Sequence, residues 1–181
     1  MFEFHEILLI CALLVLAAMV ILPIFFVAPW HPLLPGTIRR ILRFADIRPG
    51  ETLCDLGCGE GRVLITSAKE FFTRAIGVEI DPIKVVIARL LARINGVSDR
   101  VQIVRGNMFD FDPGSADVLY LYLTHQAVDK LFPGILKKLK PSVRIVSYRF
   151  CLRGMTPEKV SEDKTLFLYQ LDKGRQINTY H

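Results

Sequence analysis

The first thirty residues contain no lysine or arginine, and from Ile7 to Trp30 there is no charged side chain at all. Beyond that stretch no second run approaches the ~20 apolar residues a bilayer crossing needs, which excludes a polytopic membrane protein. The four cysteines, Cys11, Cys54, Cys58 and Cys151, include no C-x-x-C pair. The C-x-x-x-C spacing of Cys54 and Cys58 lacks the second pair a zinc site would need, so no metal is expected and the thiols read as reduced. No Lys/Arg run is interleaved with aromatics, so no nucleic-acid partner is expected. What is there is a chain of 181 residues, enough for one domain with a real core. Its apolar fraction is 51% and its mean hydropathy +0.36, an excess concentrated in residues 7–30. The rest carries 23 basic residues against 16 acidic ones, since Glu3 and Glu6 are the only acids before it, a net of +7. A basic domain tied to an apolar segment most simply faces anionic lipid headgroups.

Residues 7–27 read as one transmembrane helix, and residues 1–30 as its anchor. A secretory signal would want a basic start and small residues at a cleavage site; this segment starts Met-Phe-Glu-Phe-His-Glu and ends Phe25-Phe26-Val27-Ala28-Pro29-Trp30. The competing reading is a buried or peripheral helix. Arg39, Arg40, Arg43 and Arg48 follow closely, which places the globular part on the cytoplasmic side. Residues 31–48 form a proline-rich linker and a short amphipathic helix, Ile38–Ala45, capped by Thr37, whose arginines are free to lie along the membrane surface.

From residue 49 to 181 the pattern alternates. Strands are expected at Glu51–Leu56, Ala75–Ile80, Val101–Arg105, Asp117–Leu123, Val143–Phe150 and Thr165–Leu171. Helices are expected at Gly61–Phe72, at Pro82–Ile94 with Asp81 as N-cap, and at His125–Leu139 with a break at Pro133-Gly134. Strict alternation implies a doubly wound, mostly parallel α/β sheet with helices on both faces, its ligand outside the carboxyl ends of the strands.

The first strand ends in Asp55-Leu56-Gly57-Cys58-Gly59-Glu60-Gly61-Arg62. The glycines let the backbone turn tightly and approach a ligand. A dinucleotide fingerprint, G-x-G-x-x-G, would need glycine where Arg62 stands. A carboxylate at Asp55 would repel a phosphate and suit a cationic or amine-bearing ligand. The second strand ends in Glu79-Ile80-Asp81; with Asp81 committed as a cap, Glu79 is placed to accept hydrogen bonds from both hydroxyls of a ribose. After the third strand, Asn107 is suited to an adenine edge, while Met108 and Phe109 either pack on the ring or belong to the core.

These residues carry a resemblance. Asp-Leu-Gly-Cys-Gly-Glu-Gly-Arg, then Gly-Val-Glu-Ile and Gly-Asn-Met-Phe, resemble the seven-strand, Rossmann-like (class I) S-adenosylmethionine-dependent methyltransferases. Within these the chain is similar to the small protein-lysine methyltransferases of archaea and their mitochondrial membrane-anchored relatives, over about Leu33 to Leu171. The resemblance implies S-adenosyl-L-methionine as cofactor, held by Asp55, Gly57, Cys58, Gly59, Glu79 and Ile80, with Thr37, Asn107 and Met108 nearby. The chain departs from the archaeal pattern at the fourth strand. There Tyr120-Leu121-Tyr122-Leu123-Thr124-His125 replaces an apolar run, a Thr and an Asn. It also lacks the Asn/Asp-Pro-Pro-Tyr of DNA and glutamine N-methyltransferases.

For an amine acceptor the obstacle is protonation: a free lysine has a pKa of ~10.4. A desolvated channel beside another cation lowers it. Tyr120 and Tyr122, two apart at the end of one strand, are candidate walls of that channel, or else pack under a helix. Thr124 and His125 complete the candidate acceptor set, His125 as a proton relay or a helix-start polar group. The expected function is methylation of protein lysines at the membrane, with a protein substrate and the bilayer as partners. N-methylation of an amine-headgroup lipid is the alternative, and a nicotinamide-dependent oxidoreductase or non-catalytic binding module the reading from another class.

Overall fold

The structure is a computed structural model that describes residues 4–21 and 33–171. The chain divides into two compact units, residues 1–31 and 32–181. The first holds α1, Phe4–Ile21, whose Leu9, Ile10, Leu13, Val15 and Leu16 are exposed. Among the described residues no helix is long and apolar enough to cross a membrane. The uncharged part of α1, residues 7–21, rises only about 22 Å at ~1.5 Å per residue, against a ~30 Å hydrocarbon core. The remainder of the expected span, residues 22–27, and the linker at 29–32 lie outside the described residues.

In the second unit α2, Pro35–Phe44, begins earlier than expected, and Thr37 is inside it rather than its cap. Pro35 explains the shift. Its ring presets a helical φ and its missing N–H needs no partner, so the helix starts there with Leu34 as an N-cap that offers no side-chain bond. α2 is amphipathic as the spacing implied, but the face is spent on the core: Ile38, Ile41, Leu42 and Ala45 are buried. Two of its arginines are paired with acids of the same domain, Arg39 with Glu70 at 2.7 Å and Arg40 with Asp163.

The sheet comprises β1 (Thr52–Leu56), β2 (Arg74–Glu79), β3 (Val101–Arg105), β4 (Val118–Leu121), β5 (Arg144–Tyr148), β6 (Lys159–Val160) and β7 (Leu166–Gln170), in the order β3-β2-β1-β4-β5-β7-β6. β1 to β5 are parallel, β7 is antiparallel to β5, and β6 is antiparallel to β7. The strand order reverses between β1 and β4, which opens a crevice beyond their carboxyl ends. α3 (Arg62–Glu70) and α4 (Pro82–Ile94) join α2 in one apolar cluster with Leu53, Ala75, Val101, Ile103, Val118, Tyr120, Val146 and Tyr148.

Alternation is less strict than expected. Residues 106–117, between β3 and β4, and residues 149–158, between β5 and β6, contain no helix. After α4 only α5, His125–Leu136, remains among the described residues. α5 runs through Pro133 instead of breaking there. Leu131, Phe132 and Ile135 are buried on both sides of the proline, and that packing outweighs the one lost backbone bond.

Candidate active site

The turn after β1 is built from the backbone. Gly57, Gly59 and Gly61 all have positive φ, at 82°, 55° and 73°, where a side chain would be strained. The Gly57 and Cys58 N–H groups both donate to the carbonyl of Val78 on β2, and Gly61 N–H donates back to Cys58. Glu79, the last residue of β2, closes the turn from the other side. One carboxylate oxygen accepts from Gly59 N–H at 2.8 Å, the other from Ile80 and Asp81 N–H at 2.9 and 3.0 Å. Three of its roughly four acceptor positions are thereby filled, leaving room for one hydroxyl donor. Asp81 caps α4 as expected, accepting from Ile83 and Lys84 N–H.

Asp55 stands in register with Gly77 of β2 on one side and Tyr120 of β4 on the other. It is 4% exposed; burial, and then the charge of Glu79, push its pKa up to about 8. Tyr120 is 2% exposed, and its hydroxyl is buried with no hydrogen-bond partner among the described residues. Burial and the neighbouring Asp55 raise the Tyr120 pKa well above the phenol range. Gly77 is required by space: an added Cβ would fall 2.4 Å from Leu64 and 2.7 Å from Cys58. The Cys58 side chain therefore lies against β2, and burial raises its thiol pKa, followed by Asp55 and Glu79. That leaves its backbone, not its sulfur, toward the turn's open side.

Other expected cofactor residues occupy the rim. Ile80 is half exposed. Asn107 is exposed, and its side-chain oxygen accepts from Phe109 N–H, fixing the turn after β3; Met108 is half-buried within that turn. Thr37 is half-buried within α2, where its place is set by Pro35 at the start of the helix.

The acceptor set separates into two. Tyr120 belongs with Asp55, too deep to wall a channel. Tyr122, past the end of β4, is half-buried and packs its ring 5.0 Å from that of Tyr148 on β5. Above them Arg149 holds its guanidinium carbon 5.4 Å from the Tyr148 ring centre. The neighbouring Tyr148 and Tyr122 side chains raise its pKa further. Arg149 is the strained residue of this edge, with φ at 68°. Thr124 caps α5, accepting from Ala127 N–H, and His125 stacks edge-on against Phe150 at 5.1 Å. Tyr148, Arg149 and Phe150 escaped the sequence reading as site residues. The available signal was that a β1-β4-β5 order sets the end of β5 beside that of β4.

A buried carboxyl, an unpartnered buried hydroxyl and a glycine turn with nothing within 4 Å of a Cβ at Gly59 form one edge of the sheet. They suit a ligand with hydroxyls, an ammonium group and a positively charged sulfur: Glu79 for the ribose, Asp55 for the cationic end, the Gly57–Gly61 turn for close approach. Fold and site define a class I S-adenosylmethionine-dependent methyltransferase. Comparison with known proteins agrees. Residues 55–159 match the family described as the ANTKMT methyltransferase domain, and the chain belongs to it. It is 36% identical over 148 residues to a protein-lysine N-methyltransferase of Saccharolobus islandicus, covering 78% of this chain and 92% of that protein. A ribosomal protein L11 methyltransferase of Pelotomaculum thermopropionicum is 32% identical over 95 residues, which is 31% of its length. Among solved structures, an RNA methyltransferase from Salinibacter ruber in complex with S-adenosyl-L-homocysteine superposes with a TM-score of 0.79 at 31% identity, over 83% of this chain and all of that one.

Proposed function

We propose that this methyltransferase acts on lysine side chains of proteins, and that it does so tethered to a membrane with its catalytic domain on the cytoplasmic face. The observation that carries the lysine reading is the Tyr122–Tyr148 pair topped by Arg149, next to the buried Asp55–Tyr120 edge. That aromatic edge suits the apolar stem of a lysine. The near-full-length relationship to a protein-lysine N-methyltransferase supports the same acceptor. The tether rests on the sequence: an uncharged stretch from Ile7 to Trp30, followed by arginines.

The cofactor supplies a methyl group on a positively charged sulfur. The protein's own residues hold and orient, an effect worth up to ~7–11 kcal/mol in well-positioned reactions. Arg149 disfavours a second positive charge beside it, so an entering amine sheds its proton to solvent more readily. Tyr122 and Tyr148 shield the amine from water. His125, engaged with Phe150, serves as a wall of the entrance.

The alternative acceptor is the amine of a lipid headgroup, which the same apolar segment would bring within reach. The test is the full-length protein with membranes, soluble extract and cofactor labelled on its methyl. Label in protein bands, mapped to lysine by mass spectrometry, is the expected result. Label confined to the lipid extract moves the acceptor to the headgroup, and label confined to RNA moves it to the substrate class named for the Salinibacter ruber enzyme.

A further inference from the structure

α4 is apolar on the side that should be wettest. Val85, Ala88 and Ala92 are buried in the core. On the opposite face Ile83, Val86, Ile87, Leu90 and Ile94 are between 36% and 70% exposed. Their spacing of three, one, three and four puts all five on one stripe, about 17 Å long at the helical rise. Contiguous exposed apolar surface of this kind marks a contact site. The charge around it is mainly basic, the acid at its N-cap, Asp81, lying 4.0 Å from Lys84. α4 contains Lys84, Arg89 and Arg93 and no acid, and residues 82–105 carry five basic side chains against Asp99 alone. Arg89 is held at the sheet edge, donating to the carbonyl of Ile103 at 2.8 Å.

We propose that this face of α4 lies on an anionic membrane surface, its five aliphatic side chains at the headgroup boundary and its basic flanks on the lipid phosphates. An apolar stripe with a border in which basic side chains outnumber acids is the signature of an interfacial helix. A second copy of the chain fits less well. A symmetric contact through a single helix would bring the basic side chains Lys84, Arg89 and Arg93 of the two copies together, on an area short of the ~800 Å² per partner that stable dimers bury. The inference is independent of whether residues 7–27 span the bilayer, and goes beyond the proposed acceptor.

The experiment uses the full chain with Cys11 and Cys151 changed to Ser and an environment-sensitive fluorophore on Val86→Cys, its retained cofactor binding confirming the fold. On vesicles of phosphatidylcholine with 30% phosphatidylglycerol, flotation reads tethering, and iodide quenching of the fluorophore reads α4. At least threefold protection from quenching is expected on these vesicles, with a blue-shifted emission, and its loss in the K84E/R93E variant. Protein that floats while the fluorophore stays fully quenchable overturns the docking of α4 and leaves the tether standing. Protein that does not float overturns both. Equal protection on pure phosphatidylcholine, or protection without vesicles at a dimer's mass, overturns the anionic-lipid assignment.

Discussion

Asp55 and Tyr120 stand opposite one another in the β1–β4 register, a buried carboxyl beside a buried hydroxyl that has no hydrogen-bond partner among the described residues. Leaving a polar group unpaired in the interior costs about 1–3 kcal/mol. A methyltransferase that carries such a pair at the crevice where its sheet reverses has traded stability for a prepared ligand edge.

Asp55 should make the ligand-free protein less stable as pH rises. Its folded pKa, about 8, lies above the ~3.9 of an unfolded aspartate. Between these values the native state keeps a proton that the unfolded chain has lost. The stabilising contribution is therefore complete below about pH 4 and lost as pH rises through about 8, with a limiting slope of about 1.4 kcal/mol per unit. Denaturant melts from pH 5 to 9 should show wild type losing ground to Asp55→Asn along that range. Parallel curves for the two proteins would refute the assignment. Binding of the cationic cofactor at pH 7 should also release protons, visible by calorimetry in buffers of different ionisation heat.

Glu79 joins the glycine turn to β2 through three backbone N–H groups. Glu79→Ala strips all three of their acceptor and removes the group assigned to the ribose. The cofactor Kd should rise more than tenfold, and stability should fall by about 1–3 kcal/mol. Circular dichroism at the temperature of the binding titration separates the two effects. An unchanged Kd in a folded variant would take Glu79 out of the site.

The sheet and its glycine turn were legible because they rest on local rules. Asp81-Pro82 announces the cap and first turn of α4, and the left-handed glycines announce the turn after β1. Four features were not legible. β6 is two exposed residues with no alternation to read, and pairing with β7 alone makes it a strand. Pro133 signals a break that tertiary packing overrides. Tyr120 and Tyr122 look equivalent two residues apart, yet β4 ends between them, so one is sealed beside Asp55 and the other reaches Tyr148. Arg149 shows nothing special in sequence, because its strain and its ring contact arise only when β5 and β7 pair.

Gly77 is held by space rather than φ, and Gly77→Ala tests how tightly the turn is seated on β2. The new methyl would sit 2.4 Å from Leu64 and 2.7 Å from Cys58, so one must move. Overpacking of this kind costs about 1–3 kcal/mol. Displacement of Cys58 also shifts the turn, so the cofactor Kd should rise together with the loss of stability. Gly36→Ala, inside α2 where nothing lies within 4 Å, is the control and should leave the Kd unchanged while raising stability by up to about 1 kcal/mol.

Arg149 is a surface residue held at a φ of 68° with its charge over Tyr148. If that charge keeps a bound amine neutral, Arg149→Gln should move the ascending limb of the kcat–pH profile to higher pH. Activity at pH 7.5 should fall several-fold and recover by pH 9.5, while Arg149→Lys keeps the wild-type profile. Arg149→Gly should show the same kinetic shift with little loss of stability, because relief of the left-handed backbone, about 1–2 kcal/mol, offsets glycine's entropy and the lost ring contact. A uniform drop in rate across pH, unrescued by lysine, would instead make Arg149 a structural brace for the β5 end.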